Sequence, residues 1–233
     1  MTGTLYGVGL GPGATDLLTL RAARLIESAT VIAYPTLAGG ESFARSIAAE
    51  LIPANAREII MDVPMTTARR PAQEAYDSGA AQIAAALDAG EDVICLCEGD
   101  PLFYGSFMYI HARLKERYTV EIVPGVTSVT ACAARAALPL AARNERLTIL
   151  PGPLPEDALT DEISRADSVV IMKVGRHLAK IRRVLETLGL QDQAVYIERA
   201  SLPEEVCLPL AQAPEKAPYF SMILLTKGAD PWL

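Results

Sequence analysis

Apolar and polar positions along the 233-residue chain follow two alternating rhythms. Short, nearly continuous apolar runs predict strands at Thr4 to Leu10, Val31 to Tyr34, Glu58 to Met61, Asp92 to Cys97, Val120 to Val123, Leu147 to Leu150, Ser168 to Lys173, Ala194 to Glu198 and Ser221 to Leu225. Between many of them apolar residues recur at helical spacing. These segments predict helices over Leu17 to Ser28, Glu41 to Leu51, Ala72 to Ala89 closed by Gly90, Phe107 to Tyr118, Ser128 to Ala137, and Leu178 to Leu188 closed by Gly189. Strands alternating with helices of this length predict an α/β protein with mostly parallel sheets, and apolar runs such as VICLC suit strands covered on both faces. A proline followed by a charged stretch, LPLAARNERL at 138–147, separates two such sets, so two α/β domains are expected, 1–143 and 144–233. The proline clusters at 151–155 and 209–218 read as loops.

Composition narrows the class of partner. Hydrophobic residues make up 51% of the chain and charged residues 21%, with a mean hydropathy of +0.23, the profile of a folded globular protein. No apolar run approaches the ~20 residues that span a bilayer, and MTGTLYGVG enters a strand without the marks of a secretory leader, so a cytoplasmic protein is expected. A net charge of −7 argues against a broad basic groove for nucleic acid and favours a small-molecule partner. Cys95 and Cys97 lie two apart, on one face of a strand, which is not the spacing of a zinc or redox pair; Cys132 and Cys207 stand alone. The two histidines, His111 and His177, have no partner at ligand spacing, so no metal site is expected.

The densest signal is GVGLGPG at 7–13, four glycines and a proline leading from the first strand toward a helix. A dinucleotide fingerprint requires glycine at i, i+2 and i+5; counted from Gly7 the third place is Pro12, and from Gly9 it is Ala14. A phosphate-binding P-loop ends in Gly-Lys-Ser/Thr, and the first lysine of the chain is Lys115. Both readings fail. What is left is a turn of small residues at the carboxyl end of a strand, where Thr15 or Asp16 is placed to cap the helix. Two more loops repeat the arrangement. CEGDPLFYGS at 97–106 follows the most apolar strand and combines a carboxylate with aromatic surface, and VPGVTSVTACAA at 123–134 brings hydroxyls to a helix start. Open α/β sheets bind ligands outside the carboxyl ends of their strands.

Taken in order, GVGLGPG with DLLTL after it, EGDPLFYG and PGVTSVTACAA resemble the signature loops of the tetrapyrrole (corrin and porphyrin) methylases, and the resemblance runs over essentially the whole chain. Within that family, LYGVGLGPG, CEGDPLFYGSFMYIHARL, VPGVTSVTACAA and VIMKVGRHL are most similar to the branch that methylates precorrin-2 at carbon 20 in cobalamin biosynthesis. The resemblance implies the two-domain class III methyltransferase fold, a homodimer, and S-adenosylmethionine folded into a cleft between the domains. It assigns the cofactor to Pro12, Gly99, Asp100, Phe103, Thr127 and Ser128, together with Met172, Ala200 and Thr226, and gives Tyr104 a place against the substrate. Arg69, Arg70, Arg143 and Arg176 are candidates for the substrate's carboxylates, since guanidinium groups bind them bidentately. A sulfonium methyl is already activated, so positioning, which supplies about 7–11 kcal/mol in such reactions, is expected to dominate catalysis. No His or Cys in the signature loops offers itself as a base. The segment Met61 to Gln73 reads as a loop without an assigned role. Rival readings are a uroporphyrinogen methylase or another methylase of this fold, a nicotinamide-dependent oxidoreductase, which the glycine spacing disfavours, and a nucleotide-binding module without catalysis.

Overall fold

A computed structural model describes residues 2–37, 39–64 and 69–228, and of residue 69 the backbone alone. The chain divides into two compact units, the first ending at Thr127 and the second beginning at Ser128. That division precedes the proline-led segment at 138–147, because the helix Ser128–Ala136 packs on strands of the second sheet.

In the first unit the strands β1 (Leu5–Gly9), β2 (Val31–Leu37), β3 (Arg57–Val63), β4 (Val93–Cys97) and β5 (Val120–Val123) form one sheet in the order β3-β2-β4-β1-β5. Every pairing in it is parallel. The helices α1 (Leu20–Glu27), α2 (Phe43–Ala48), α3 (Arg69–Asp88) and α4 (Phe107–Leu114) supply the crossovers. Strand residues alternate between two cores: Val93, Cys95 and Cys97 point into a cluster with Ile83 and Leu87 of α3 and Phe107 and Ile110 of α4, whereas Ile94 and Leu96 join Ala22 and Ile26 of α1 and Ile47 of α2. This is the two-sided burial that a continuous apolar strand implies.

Local chemistry explains where the elements begin and end. The helix α1 starts at Leu20, not Leu17: the Thr19 hydroxyl accepts the Ala22 N–H at 3.1 Å, while Thr15–Leu17 forms a separate 3-10 turn. A cap of this kind contributes about 1 kcal/mol, enough to set the start. The strand β2 runs three residues beyond its expected end, through Pro35. It can do so because its ladder with β4 stops at Ala33, so the N–H that Pro35 lacks has no partner to miss on that side. Gly90, at φ +83, ends α3 as expected.

The second unit contains α5 (Ser128–Ala136), β6 (Leu147–Pro151), α6 (Glu156–Arg165), β7 (Ser168–Met172), α7 (Leu178–Thr187), β8 (Ala194–Glu198), β9 (Val206–Pro209) and β10 (Ser221–Thr226). Its sheet has the order β6-β7-β10-β8-β9. Here the expectation of a mostly parallel sheet needs correction: β6 and β7 are parallel, but β10 runs antiparallel to both β7 and β8, and β9 antiparallel to β8. The helix α7 carries the chain from β7 to β8, which run the same way, but no α-helix lies between β8 and β9 or between β9 and β10, so no right-handed crossover imposes a common direction on the last two strands. Neither α6 nor β9 is among the elements the pattern predicts. Leu159 and Ile163 are the only buried residues of α6, and β9 is a half-exposed edge strand of four residues.

Candidate functional site

The parallel first sheet sends the carboxyl ends of β1, β4 and β5 to one edge, with β1 between the other two. There the three signature loops meet. Gly11 and Gly99 exchange backbone hydrogen bonds, the N–H of Gly99 reaching the Gly11 carbonyl at 2.8 Å and the reverse bond measuring 3.2 Å. The third loop closes on the second through Asp100, whose carboxylate accepts the Leu102 N–H at 2.9 Å and the Gly125 N–H at 3.1 Å. Loops separated by about ninety and twenty-five residues in sequence are thereby one hydrogen-bonded unit.

The glycines have distinct tasks. A Cβ on Gly7 would fall 2.4 Å from the Phe107 ring, so this glycine seats α4 on the sheet and is no part of a binding surface. A Cβ on Gly9 would meet the Gly125 nitrogen at 2.6 Å, and one on Gly125 would meet the Gly99 carbonyl oxygen at 2.1 Å; both are needed for the loops to touch. Gly99 differs. It holds φ at +63, and a Cβ added to it would meet nothing within 4 Å, so its backbone faces open space.

Around this point stand the other residues expected in the first unit. Pro12, Phe103 and Thr127 are half-buried. Tyr104 is 46% exposed, with its ring edge-on to Phe103 at 5.2 Å and its backbone at φ +56. A non-glycine residue in that region costs of order 1–3 kcal/mol, a cost borne mostly at functional positions. The loop is anchored beneath by Cys97, whose buried sulfur takes up backbone N–H groups of Ser106 and Phe107, and burial raises its thiol pKa. Cys97 is therefore packing, as are Cys95 and Cys132.

Sequence reasoning passed over Glu98, the residue between Cys97 and Gly99. Its carboxylate accepts the Ala44 N–H in the first turn of α2, and burial raises its pKa to about 6 against the pull of that bond. An acidic residue directly after a wholly buried strand was the available signal.

In the second unit Ser128 opens α5, Met172 ends β7 and Ala200 follows β8. The antiparallel strand β10 fixes their relation: Met222 lies opposite Met172, and Ser221 opposite Glu198, so Met172 and Ala200 share one end of the sheet. At that end Lys173, Arg199 and Ser201 all hold positive φ, at 57, 49 and 72°. Thr226 is not brought to them. It pairs with Ser168 at the opposite end, about 13 Å away along the strand at ~3.3 Å per residue, and its hydroxyl bonds with Ser168 and the Pro139 carbonyl, each at 3.3 Å.

Of the arginines, Arg70 pairs with Glu74 at 3.0 Å on the exposed face of α3, and Arg176 lies against His177 at 3.4 Å. The Arg69 side chain, and residues 65–68 of the segment left without a role, lie outside the described residues. Among the described residues no three His, Cys, Asp or Glu side chains gather as metal ligands, and no helix is long and apolar enough to cross a membrane.

Residues 4–213 match the family described as tetrapyrrole (corrin/porphyrin) methylases, and that match decides the assignment. The chain belongs to the tetrapyrrole methylase family. This methylase is 40% identical to the precorrin-2 C(20)-methyltransferase of a Sinorhizobium species, over 98% of its own length and 97% of the relative's. It is 43% identical to the cobalamin biosynthesis protein CobIJ of Mycobacterium tuberculosis, across 97% of this chain and 46% of that one, so the chain spans about half the length of the mycobacterial relatives it matches. Among solved structures, the uroporphyrin-III C-methyl transferase of Thermus thermophilus complexed with S-adenyl homocysteine superposes on the methylase with a TM-score of 0.67 at 26% identity, covering 95% of this chain and 97% of the other.

Proposed function

We propose that the chain transfers the methyl group of S-adenosylmethionine to carbon 20 of precorrin-2, a step of cobalamin biosynthesis. The observation that carries the reading is the joining of three signature loops at one sheet edge by Asp100 and the paired glycines, in a family member 40% identical to a relative of that name.

The residues present fit the donor. Gly99 offers an open backbone, Asp100 keeps lone pairs beyond the two it gives to Leu102 and Gly125, and Phe103 adds a flat apolar surface, a set matched to a nucleoside with polar edges and a positive charge. Pro12, Gly99, Asp100, Phe103, Thr127 and Ser128 are proposed to hold it, with Met172 and Ala200 retained as further contacts because they share a strand end. Thr226 is left out on the register of β10. When bound, S-adenosylmethionine supplies an electrophilic methyl on a sulfonium. The protein's part is to hold the ring carbon in line with that methyl and exclude water, with Tyr104 beside Phe103 placed to orient the macrocycle. A cytoplasmic homodimer completes the reading on the strength of the family resemblance; sedimentation equilibrium measures the second part.

Anaerobic incubation of the protein with S-adenosylmethionine and either metal-free precorrin-2 or its cobalt-containing counterpart, read by mass spectrometry, tests the function. One added methyl, located on carbon 20, is expected, and the ring that accepts it names the metal state of the substrate. A methyl on another carbon, or none on either ring, overturns the reading.

A further inference from the structure

The turn that follows β8 is held in an unfavourable backbone conformation. Arg199 and Ser201 hold φ at +49 and +72 with Ala200 between them, and a non-glycine residue keeps that conformation only where its surroundings over-determine it. Bonds on both sides do so here. On the strand side the Arg199 N–H reaches the Phe220 carbonyl at 2.9 Å, and its guanidinium lies 3.5 Å from Glu198, which also accepts the Tyr196 hydroxyl. On the other side Glu205, one residue before β9, accepts the Ser201 N–H at 2.8 Å. Among the described residues nothing hydrogen-bonds the backbone of Ala200 itself, so the bonds that fix the turn all act through its neighbours.

The second oxygen of Glu205 faces a different element. It pairs with Arg135 Nε of α5 at 2.5 Å, and the carboxylate lies beside the buried Cys132 of α5 and Cys207 of β9. Cys132 stands four residues beyond Ser128, about one turn along the same face of the helix. The Glu205 side chain is only 17% exposed, against 55% for Arg135, so the carboxylate is the fixed member of the pair. One carboxylate thus joins the turn that carries Ala200 to the helix that Ser128 opens.

Resting on the function proposed above, we propose that Glu205 is a positioning residue of the methyl transfer, which through Ser201 and Arg135 keeps Ala200 and Ser128, assigned to the cofactor on two different elements, in one fixed relation. It acts through those two residues and not by touching the donor. Its role is read in affinity, because a ligand held by two elements binds at full strength only where both are already in place. Neither Glu205 nor Arg135 belongs to the apolar core of the second unit, so breaking the bridge leaves that core filled.

The test is Glu205→Ala, read by titration calorimetry with S-adenosylhomocysteine. Affinity is expected to fall about 10- to 100-fold, the usual contribution of bonds to a charged group, and the KM for S-adenosylmethionine to rise in step, while kcat and the KM for precorrin-2 stay within about threefold of wild type. Glu205→Gln, whose amide oxygen still accepts the Ser201 N–H, should recover part of the loss. Arg135→Ala should lose less affinity than Glu205→Ala, and the double variant should bind no more weakly than Glu205→Ala, because both changes break one bridge. A merely structural residue would lower the melting temperature and leave the affinity of the folded protein unchanged. Affinity of Glu205→Ala within twofold of wild type, a Gln variant no better than the Ala variant, or losses that add in the double variant overturn the inference and leave the functional reading standing. A wild-type protein that binds no S-adenosylhomocysteine and methylates neither ring overturns the functional reading, and this inference with it.

Discussion

The two sheets contrast in one property, strand direction, and that property determines which residues can act together. In the first sheet all strands run the same way, so Gly9, Gly99 and Gly125, each at or just beyond a strand's carboxyl end, arrive at one edge. In the second sheet β7 and β10 are neighbours but antiparallel, so Met172 and Thr226, both at carboxyl ends, lie at opposite edges. A family motif carried onto a sequence therefore predicts convergence only where the strands share a direction. A strand's end is not by itself a place in the site.

The most damaging change to this arrangement is Gly125→Ala. Its Cβ would lie 2.1 Å from the Gly99 carbonyl oxygen, against backbone that cannot rotate away, and forcing atoms into a packed position costs about 1–3 kcal/mol or more. The two loops must part. Differential scanning calorimetry should show a lowered melting temperature, and titration calorimetry an affinity for S-adenosylhomocysteine lower by more than 100-fold. Retained affinity would mean that loop convergence is not what builds the site.

Next in size is Asp100→Ala, which removes the side chain joining the second loop to the third. Hydrogen bonds to a charged group contribute about 1.5–3 kcal/mol, so affinity for S-adenosylhomocysteine should fall roughly 10- to 100-fold. Asp100→Asn keeps an acceptor for one N–H and should fall between this variant and wild type. If both variants bind like wild type, the link between loops is decoration.

How much of this was legible beforehand follows the same contrast. The three loops could be read because turn residues that are common anywhere recur here at three strand ends in an order that resembles the family's signature loops, and the strands around them are nearly continuous apolar runs. The antiparallel direction of β10 could not be read, because SMILLT is equally apolar in either direction. The start of α1 was missed because Thr15, Asp16 and Thr19 are all competent caps, and only the bond from Ala22 to Thr19 selects among them. Glu98 escaped notice because its meaning depends on Ala44, which comes from a different crossover. Strand β9 escaped because an edge strand of four half-exposed residues ending in proline has no periodicity to detect.

A smaller effect separates the site edge of the first sheet from its outer flank. Where β2, β3 and α2 meet, Tyr34 and Arg45 both bind Glu58 and hold its pKa at about 2, below the ordinary 4.5, with the Arg45 bonds the largest cause. A carboxyl depressed on folding stabilises the protein fully above its unfolded value, and the contribution fades as pH falls from about 4.5 toward about 2. Urea denaturation should therefore find Glu58→Gln less stable than wild type at pH 6, with the gap narrowing by pH 3. Because the pair is partly exposed, solvent screens it, and the difference should be a fraction of what the full shift implies. Binding of S-adenosylhomocysteine at pH 7 should be unchanged, since the staple lies on β3 at the sheet's edge and the binding loops follow β1, β4 and β5.

The smallest expected effect tests the second sheet most directly. Thr226→Val keeps the shape of the side chain and removes a hydroxyl that bonds with Ser168 and with the Pro139 carbonyl, both at 3.3 Å. Long bonds between neutral groups contribute at the low end of about 0.5–1.5 kcal/mol, so a loss of stability below 1 kcal/mol is expected. Affinity for S-adenosylhomocysteine should stay within about twofold of wild type, because β10 places Thr226 beside Ser168 and Met172 beside Met222. A tenfold loss of affinity without a matching loss of stability would reverse the argument. It would show that the family assignment at this position holds despite the register, and that strand direction is a weaker guide to the site than the first sheet makes it seem.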